Sequence, residues 1–201
     1  MTVRAIVEIG HPVLRERARE LDAAGLGSPE VQRLIDDMIE TMRAAGGAGL
    51  AANQVGETVR VAVAEVDHNP RYPYKPPIPL TVIVNPVIEP LDDELMPVNE
   101  GCLSVPGLRG EVERHASIRL RYLDRSGAER EQVVRGLSAG TFQHELDHLD
   151  GTLFVDRVTD PRTLTTWEQF ERFHRDEWLA RVEPYLRKRP ARPGAQRGTP
   201  R

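Results

Sequence analysis

The chain has 201 residues, 39% hydrophobic and 29% charged, with a formal net charge of −4. That length fits one domain with a sizeable core, and the acidic balance argues against a surface with general affinity for nucleic acid or membranes. Its one cysteine, Cys102, excludes an internal disulfide and suits a reducing cytoplasm. The first residues form too short and too charged a run for a signal peptide, and no stretch approaches the roughly 18 apolar residues that cross a bilayer.

Ile6 and Ile9 precede a turn at Gly10-His11-Pro12, after which Val13, Leu14, Ala18 and Leu21 predict a short irregular or helical packing segment. A helix follows. Ser28 reads as its N-cap and Pro29 as its first residue, and Val31, Leu34, Ile35, Met38, Ile39 and Met42 recur at helical spacing until Gly46-Gly47. The segment 47–56 is small and uncharged. Its glycines make either a tight turn or a close approach of backbone to something else, and it lacks the pattern of a phosphate loop. Val59, Val61, Val63 and Val66 alternate as a strand. Residues 68–79 are dense in proline and predict a surface loop in which His68 is solvated. Residues 80–88 predict a strand with a bulge or edge at Asn85-Pro86, and 91–94 a turn. Cys102 is flanked by glycine and polar groups, so it reads equally as a ligand or as a small buried hydrophobe. Residues 112–137, with a turn at 124–127, predict an antiparallel meander.

His144 and His148 stand four residues apart with Glu145 directly after the first. On a helix this spacing puts both imidazoles on one face, able to meet one metal ion, with the carboxylate at the rim where it can take a proton from water. The helix is expected from Ser138, as N-cap, to Gly151, with Phe142, Leu146 and Leu149 as its apolar face. Burying such polar groups is costly unless they are bound or paired. A last helix is expected over about 162–185, carrying Leu164, Trp167, Phe170, Phe173, Trp178 and Leu179. Residues 187–201 hold six Arg or Lys and no acid, and read as a disordered basic tail.

Two ligands leave a catalytic metal site incomplete, and Cys102 offers a third, giving a set that leaves a position for water. A thermolysin-type glutamate or a metzincin third histidine does not follow the motif, since no histidine appears after His148 until His174. The residues alone therefore reach a hydrolase that acts on an amide or ester through metal-activated water, and the ligand set alone suggests zinc.

Three segments together resemble peptide deformylase. Gly47-Ala48-Gly49-Leu50-Ala51-Ala52-Asn53-Gln54 matches GxGLAAxQ, Glu100-Gly101-Cys102-Leu103-Ser104 matches EGCLS, and Gln143-His144-Glu145-Leu146-Asp147-His148 matches QHExDH, in family order over roughly residues 6–175. Asn85-Pro86 is similar too, whereas the proline-rich loop 68–79 and the tail from 187 depart from the pattern. The resemblance implies an α+β fold: antiparallel strands packed around a central metal-binding helix, with an N-terminal and a C-terminal helix, one catalytic domain over 1–186 and the tail outside it. It implies removal of the formyl group from N-formylmethionyl nascent peptides in the cytoplasm. Cys102, His144 and His148 would hold Fe2+, replaceable by Zn2+, Ni2+ or Co2+. Glu145 would act as base, and Gln54 with the Leu103 N–H would meet the oxyanion. Val98, Leu137, Gly140 and Thr141 would lie near the methionine pocket, Gly49 and Gly101 along the peptide, and Arg109 near the outgoing chain. The basic tail is expected to meet the phosphate surface of the ribosome, and no membrane is expected as partner. Two other readings stand beside this one: a different metal-dependent amidase or peptidase, and a binder that lost the chemistry.

Overall fold

A computed structural model of the chain describes residues 2–67 and 73–186. Its helices are α1 (Ala23–Gly27), α2 (Pro29–Ala44), α3 (Leu137–Leu149), α4 (Phe154–Arg157), α5 (Trp167–Gln169) and α6 (Arg175–Leu186). Its strands are β1 (Gly49–Ala51), β2 (Val61–Val66), β3 (Ile78–Pro90), β4 (Leu95–Cys102), β5 (Val105–His115), β6 (Ser117–Leu123), β7 (Glu129–Arg135) and β8 (Thr165–Thr166). They form two antiparallel sheets, one of five strands in the order β1-β2-β3-β6-β7 and one of three in the order β4-β5-β8.

The sequence of β2, Val61-Ala62-Val63-Ala64, shows how the larger sheet is covered. A period of two sends its valines to one face and its alanines to the other. Val61 and Val63 join an apolar cluster with Leu34, Ile35, Met38, Ile39 and Met42 of α2. Ala62 and Ala64 join Ala139, Phe142, Leu146 and Leu149 of α3. The small side chains on that face let a helix with polar residues come close to the sheet. The helix α2 starts as its sequence predicts, with Ser28 Oγ accepting the Val31 N–H at 3.3 Å and Pro29 in the first turn. Its fully buried Ile35 and Met38 each contribute about 1.5–3 kcal/mol of transfer free energy.

The helix α3 lies between the sheets, touching β1, β2, β3 and β7 of the larger and β5 of the smaller. Its N-terminus corrects the expected Ser138 cap. Gly136, at φ 61°, precedes the first turn, and a side chain there would collide with the Tyr185 carbonyl. Close packing, not a hydroxyl cap, therefore fixes this end. At the other end Gly151 (φ 74°) stops the helix as expected, with the Arg15 carbonyl oxygen 2.6 Å from where a Cβ would stand. The last carbonyls find donors outside the helix: Leu149 O accepts from the Ala18 N–H at 2.8 Å and from Arg60 at 3.3 Å, and His148 O accepts from the Asn53 amide.

Other elements differ from expectation. No strand is expected over 95–102, where Pro97 and Gly101 interrupt the pattern, yet β4 runs there and pairs with β5. The expected meander is split between sheets: β5 pairs with β4, while β6 pairs with β3 and β7. Ala116, 3% exposed, is all that separates β5 from β6, so the chain changes sheet at one residue. The last helical region begins at Trp167 rather than near 162, because a 3-10 turn (Pro161–Thr163) and β8 come first; it continues through a π-turn (Phe170–His174) into α6. The expected irregularity of β3 is present as a register shift between Val84 and Val87, with Asn85 at φ 49°. His68 and the tail 187–201 lie outside the described residues.

Candidate metal centre

Cys102 ends β4, and His144 and His148 are one turn apart on α3, so the packing of the small sheet on this helix brings the three together. Their candidate ligand atoms all lie within 4.8 Å of one another, with Cys102 Sγ 3.2 Å from His148 Nε2. Glu100 decides which nitrogen of His144 is available. Its carboxylate stands 2.8 Å from Nδ1 and holds the proton there, leaving the Nε2 lone pair for an ion. Burial disfavours charge on both imidazoles. It pushes His148 well below its ordinary pKa and so keeps it neutral, the form that ligates, whereas at His144 Glu100 and Cys102 outweigh burial and push the group well up. The pocket thus attracts positive charge beside a thiol and two imidazoles, which is the donor set and the electrostatics of a divalent transition-metal site.

A balanced ionic network stands behind Glu100. Arg114 grips it with two hydrogen bonds, Nε to Oε1 at 2.8 Å and Nη2 to Oε2 at 2.9 Å, and reaches Asp147 with Nη1 at 2.6 Å. Asp147 in turn takes both arms of Arg157. Burial alone would raise the pKa of Glu100, yet Arg114 and then His144 hold it well below the usual carboxylate range. The network runs from the surface, where Arg157 is half-exposed, to the ring of a candidate ligand.

Of the residues singled out in the sequence, Gly49, Gln54, Val98, Gly101, Cys102, Leu103, Arg109, Gly140, Thr141, His144 and Glu145 line one cleft. His148 is fully buried and is not part of the lining; nor is Leu137, which is 1% exposed in the same apolar cluster as Val98. Glu145 is 3% exposed, its Oε2 has no hydrogen-bond partner, and burial pushes its pKa up to about 7. Any Cβ at position 49 would strike the Glu145 carboxylate, so close approach, not turn geometry, explains that glycine. Gln54 is oriented by its other end: its Oε1 accepts the Ala51 N–H at 2.9 Å, which turns its NH2 toward Ser104 Oγ (3.1 Å) and Cys102 Sγ (3.5 Å). Lys75, Asn99 and Glu100 also line the cleft. Lys75 lies within the proline-rich stretch read as a surface loop, and only the fold could bring it here.

Comparisons with known proteins identify the family of the chain. The family model for polypeptide deformylase matches residues 3–163. A peptide deformylase of Nitrosomonas europaea is 42% identical over 160 residues, 80% of this chain and 90% of the relative. One of Leptospira biflexa is 44% identical over 159 residues, 79% of this chain and 89% of the relative. Among solved structures, a class I type b peptide deformylase of Acinetobacter baumannii, bound to Met-Ala-Ser, superposes with a TM-score of 0.75 at 39% identity, covering 78% of this chain and 99% of that one. The Thermotoga maritima peptide deformylase gives 0.69 at 36% identity, covering 80% and 100%. Agreement in sequence over four-fifths of the chain, and in overall fold, places this chain in the peptide deformylase family, enzymes that remove the N-terminal formyl group from newly made polypeptides.

Proposed function

We propose that the chain deformylates N-formylmethionyl nascent peptides with a divalent metal held by Cys102, His144 and His148 and with Glu145 as general base. One observation carries the reading: three side chains able to hold a metal are clustered, and two of them, Cys102 and His144, line the same cleft as a buried carboxylate with an unpartnered oxygen. When bound, the ion supplies Lewis acidity, polarising the formyl oxygen and lowering the pKa of the attacking water. Glu145 takes a proton from that water as its oxygen adds to the formyl carbon. As the C–N bond breaks, the same carboxyl returns the proton to the leaving amine, so formate and a free N-terminus result. A pKa near 7 suits a group that must both take and give a proton at neutral pH. The NH2 of Gln54, aimed at Cys102, and the Leu103 N–H stabilise the oxyanion. Val98, Gly140 and Thr141 form the methionine pocket with Leu137 as packing behind it, and Gly49, Gly101 and Arg109 flank the peptide. Met-Ala-Ser, bound by the Acinetobacter neighbour, is what deformylation of a formylated tripeptide would leave.

The metal is proposed to be Fe2+, replaceable by Zn2+, Ni2+ or Co2+, all compatible with a thiolate and two imidazoles. Removing it with a chelator is expected to lower formate release from formyl-Met-Ala-Ser by at least about 100-fold, and Fe2+ added without oxygen is expected to restore it. Full activity in metal-free protein would sink the reading. Equal turnover of acetylated and formylated peptides would favour the broader amidase alternative instead.

No helix among the described residues is long and apolar enough to cross a membrane. We place the enzyme in the cytoplasm, where its substrates are made, with the described residues as its catalytic domain. The six cations of 187–201 are proposed to meet ribosomal phosphate. Deleting residues 187–201 is expected to weaken ribosome binding and flatten its salt dependence while small peptides are still turned over. Unchanged binding at low salt would leave those residues without this role.

A further inference from the structure

We propose that Asn53 is a positioning residue of the metal centre, holding His148 in the form that ligates: its amide NH2 fixes the His148 carbonyl, and its amide oxygen receives the proton that a ligating His148 carries on Nδ1. The inference rests on the metal centre proposed above. Asn53 occupies the position that the pattern GxGLAAxQ leaves open, so the shared motif does not account for it.

A polar side chain as fully buried as Asn53 is costly unless it is paired. Half of its amide is satisfied: Nδ2 donates to the His148 carbonyl, which also takes the Gly151 N–H at 3.0 Å where α3 ends. The other half, Oδ1, is buried with no hydrogen-bond partner. His148 has a matching deficit. Its Nε2 stands 3.2 Å from Cys102 Sγ, on the side of the candidate ligands, while its Nδ1 is buried with no partner. At His144 the same ring position is served by Glu100, 2.8 Å away. An imidazole that offers Nε2 to an ion keeps its proton on Nδ1, and ligating histidines give that proton to a second group. Loading the site therefore makes His148 Nδ1 a buried donor, and Asn53 already bonds the same residue while holding a spare buried acceptor. Pairing the two satisfies both atoms at once. An amide suits the place because it donates at one end and accepts at the other.

The turn that carries Asn53 joins the two halves of the centre. It is a 3-10 turn, Ala52–Val55, packed against α3. The next residue, Gln54, directs its NH2 to Cys102 Sγ at 3.5 Å and Ser104 Oγ at 3.1 Å. Consecutive amides thus reach a candidate ligand at the end of β4 and another on α3, which makes the spacing of the two depend on this turn.

The test uses the full chain loaded with Zn2+, read by proton NMR of the 15N-labelled protein and by competition with a chelator. The wild type is expected to show a downfield, slowly exchanging Nδ1 proton from each ligating imidazole, that of His144 held by Glu100 and that of His148 by Asn53. Asn53→Leu, close in size but without donor or acceptor, should remove the His148 resonance alone and weaken Zn2+ binding about 10–100-fold. Asn53→Ser, whose hydroxyl is too short to replace the amide, should do the same and serves if the leucine variant does not fold. Val182→Ala, a truncation of a fully buried side chain in α6, should lower the melting temperature yet leave both resonances and the affinity in place. Absence of the His148 resonance in the wild type, its persistence with unchanged affinity in the Asn53 variants, or an equal loss in Val182→Ala overturns the assignment. A wild type that binds no divalent ion overturns the proposed metal centre and this assignment with it, so the two failures are told apart.

Discussion

Replacing Glu145 with Gln is expected to lower formate release by about 10²–10⁴-fold, the usual cost of removing a general base, while metal content stays that of the wild type. Glu145 is not one of the three clustered candidate ligands, so ion binding does not depend on it. Glutamine keeps the shape that fills the space above Gly49, where a Cβ would already collide with the carboxylate, and therefore leaves the cleft wall in place. What it cannot do is accept a proton from water and hand it to the leaving amine. The same substitution should leave the melting temperature unchanged or raise it, because a 3%-exposed carboxylate with one unpartnered oxygen is costly to bury and a neutral amide less so. Metal analysis, a melting curve and a formate assay on one preparation separate these effects. Turnover within about tenfold of the wild type would sink the assignment of Glu145 as base.

The motif residues were legible because chemistry constrains both their type and their spacing. Two imidazoles four residues apart announce themselves on any helix, and Cys102 stands out as the one thiol. The supports around them are harder to read. Arg114 carries no signal in the sequence and Asp147 enters it only as one letter of a motif, and only the packing of α3 on β5 shows that they are buried against each other. Gly49 sits in a segment that reads as either a tight turn or a close approach, and only the fold shows that the approach is to a side chain almost a hundred residues away. The strand β4 is hidden by Pro97 and Gly101, and the change of sheet at Ala116 takes one residue, too short to leave a turn signal. Lys75 illustrates the same limit from the surface side: dense prolines predict a loop over 68–79, which holds for the described residues 73–77 while Ile78 and Pro79 already belong to β3, but they say nothing of which way a loop side chain faces.

Replacing Arg114 with Met should be the most damaging single change to the framework of the site, costing about 3–5 kcal/mol of stability. Arg114, Glu100 and Asp147 have side chains only 3%, 6% and 11% exposed, and the guanidinium is the positive charge between the two carboxylates. Methionine fills much of the same volume but leaves Glu100 with His144 alone and Asp147 with Arg157 alone. For a domain of this size that cost corresponds to a fall of roughly 6–20 °C in melting temperature. A second effect follows from the hydrogen bond between Glu100 and His144 Nδ1: once Glu100 loses its two-pronged grip, the imidazole loses its fixed orientation and metal affinity should fall about 10–100-fold. Melting curves of metal-loaded and chelator-treated protein, with metal retention in a competition assay, distinguish the two effects. Adding Asp147→Asn to Arg114→Met should recover part of the lost stability, because it removes one of the two stranded charges and leaves the half-exposed Arg157 facing solvent. It should recover none of the lost metal affinity, since Glu100 remains unbraced. A variant within about 1 kcal/mol of the wild type that also holds its metal as tightly would show that the network neither supports the fold nor orients His144.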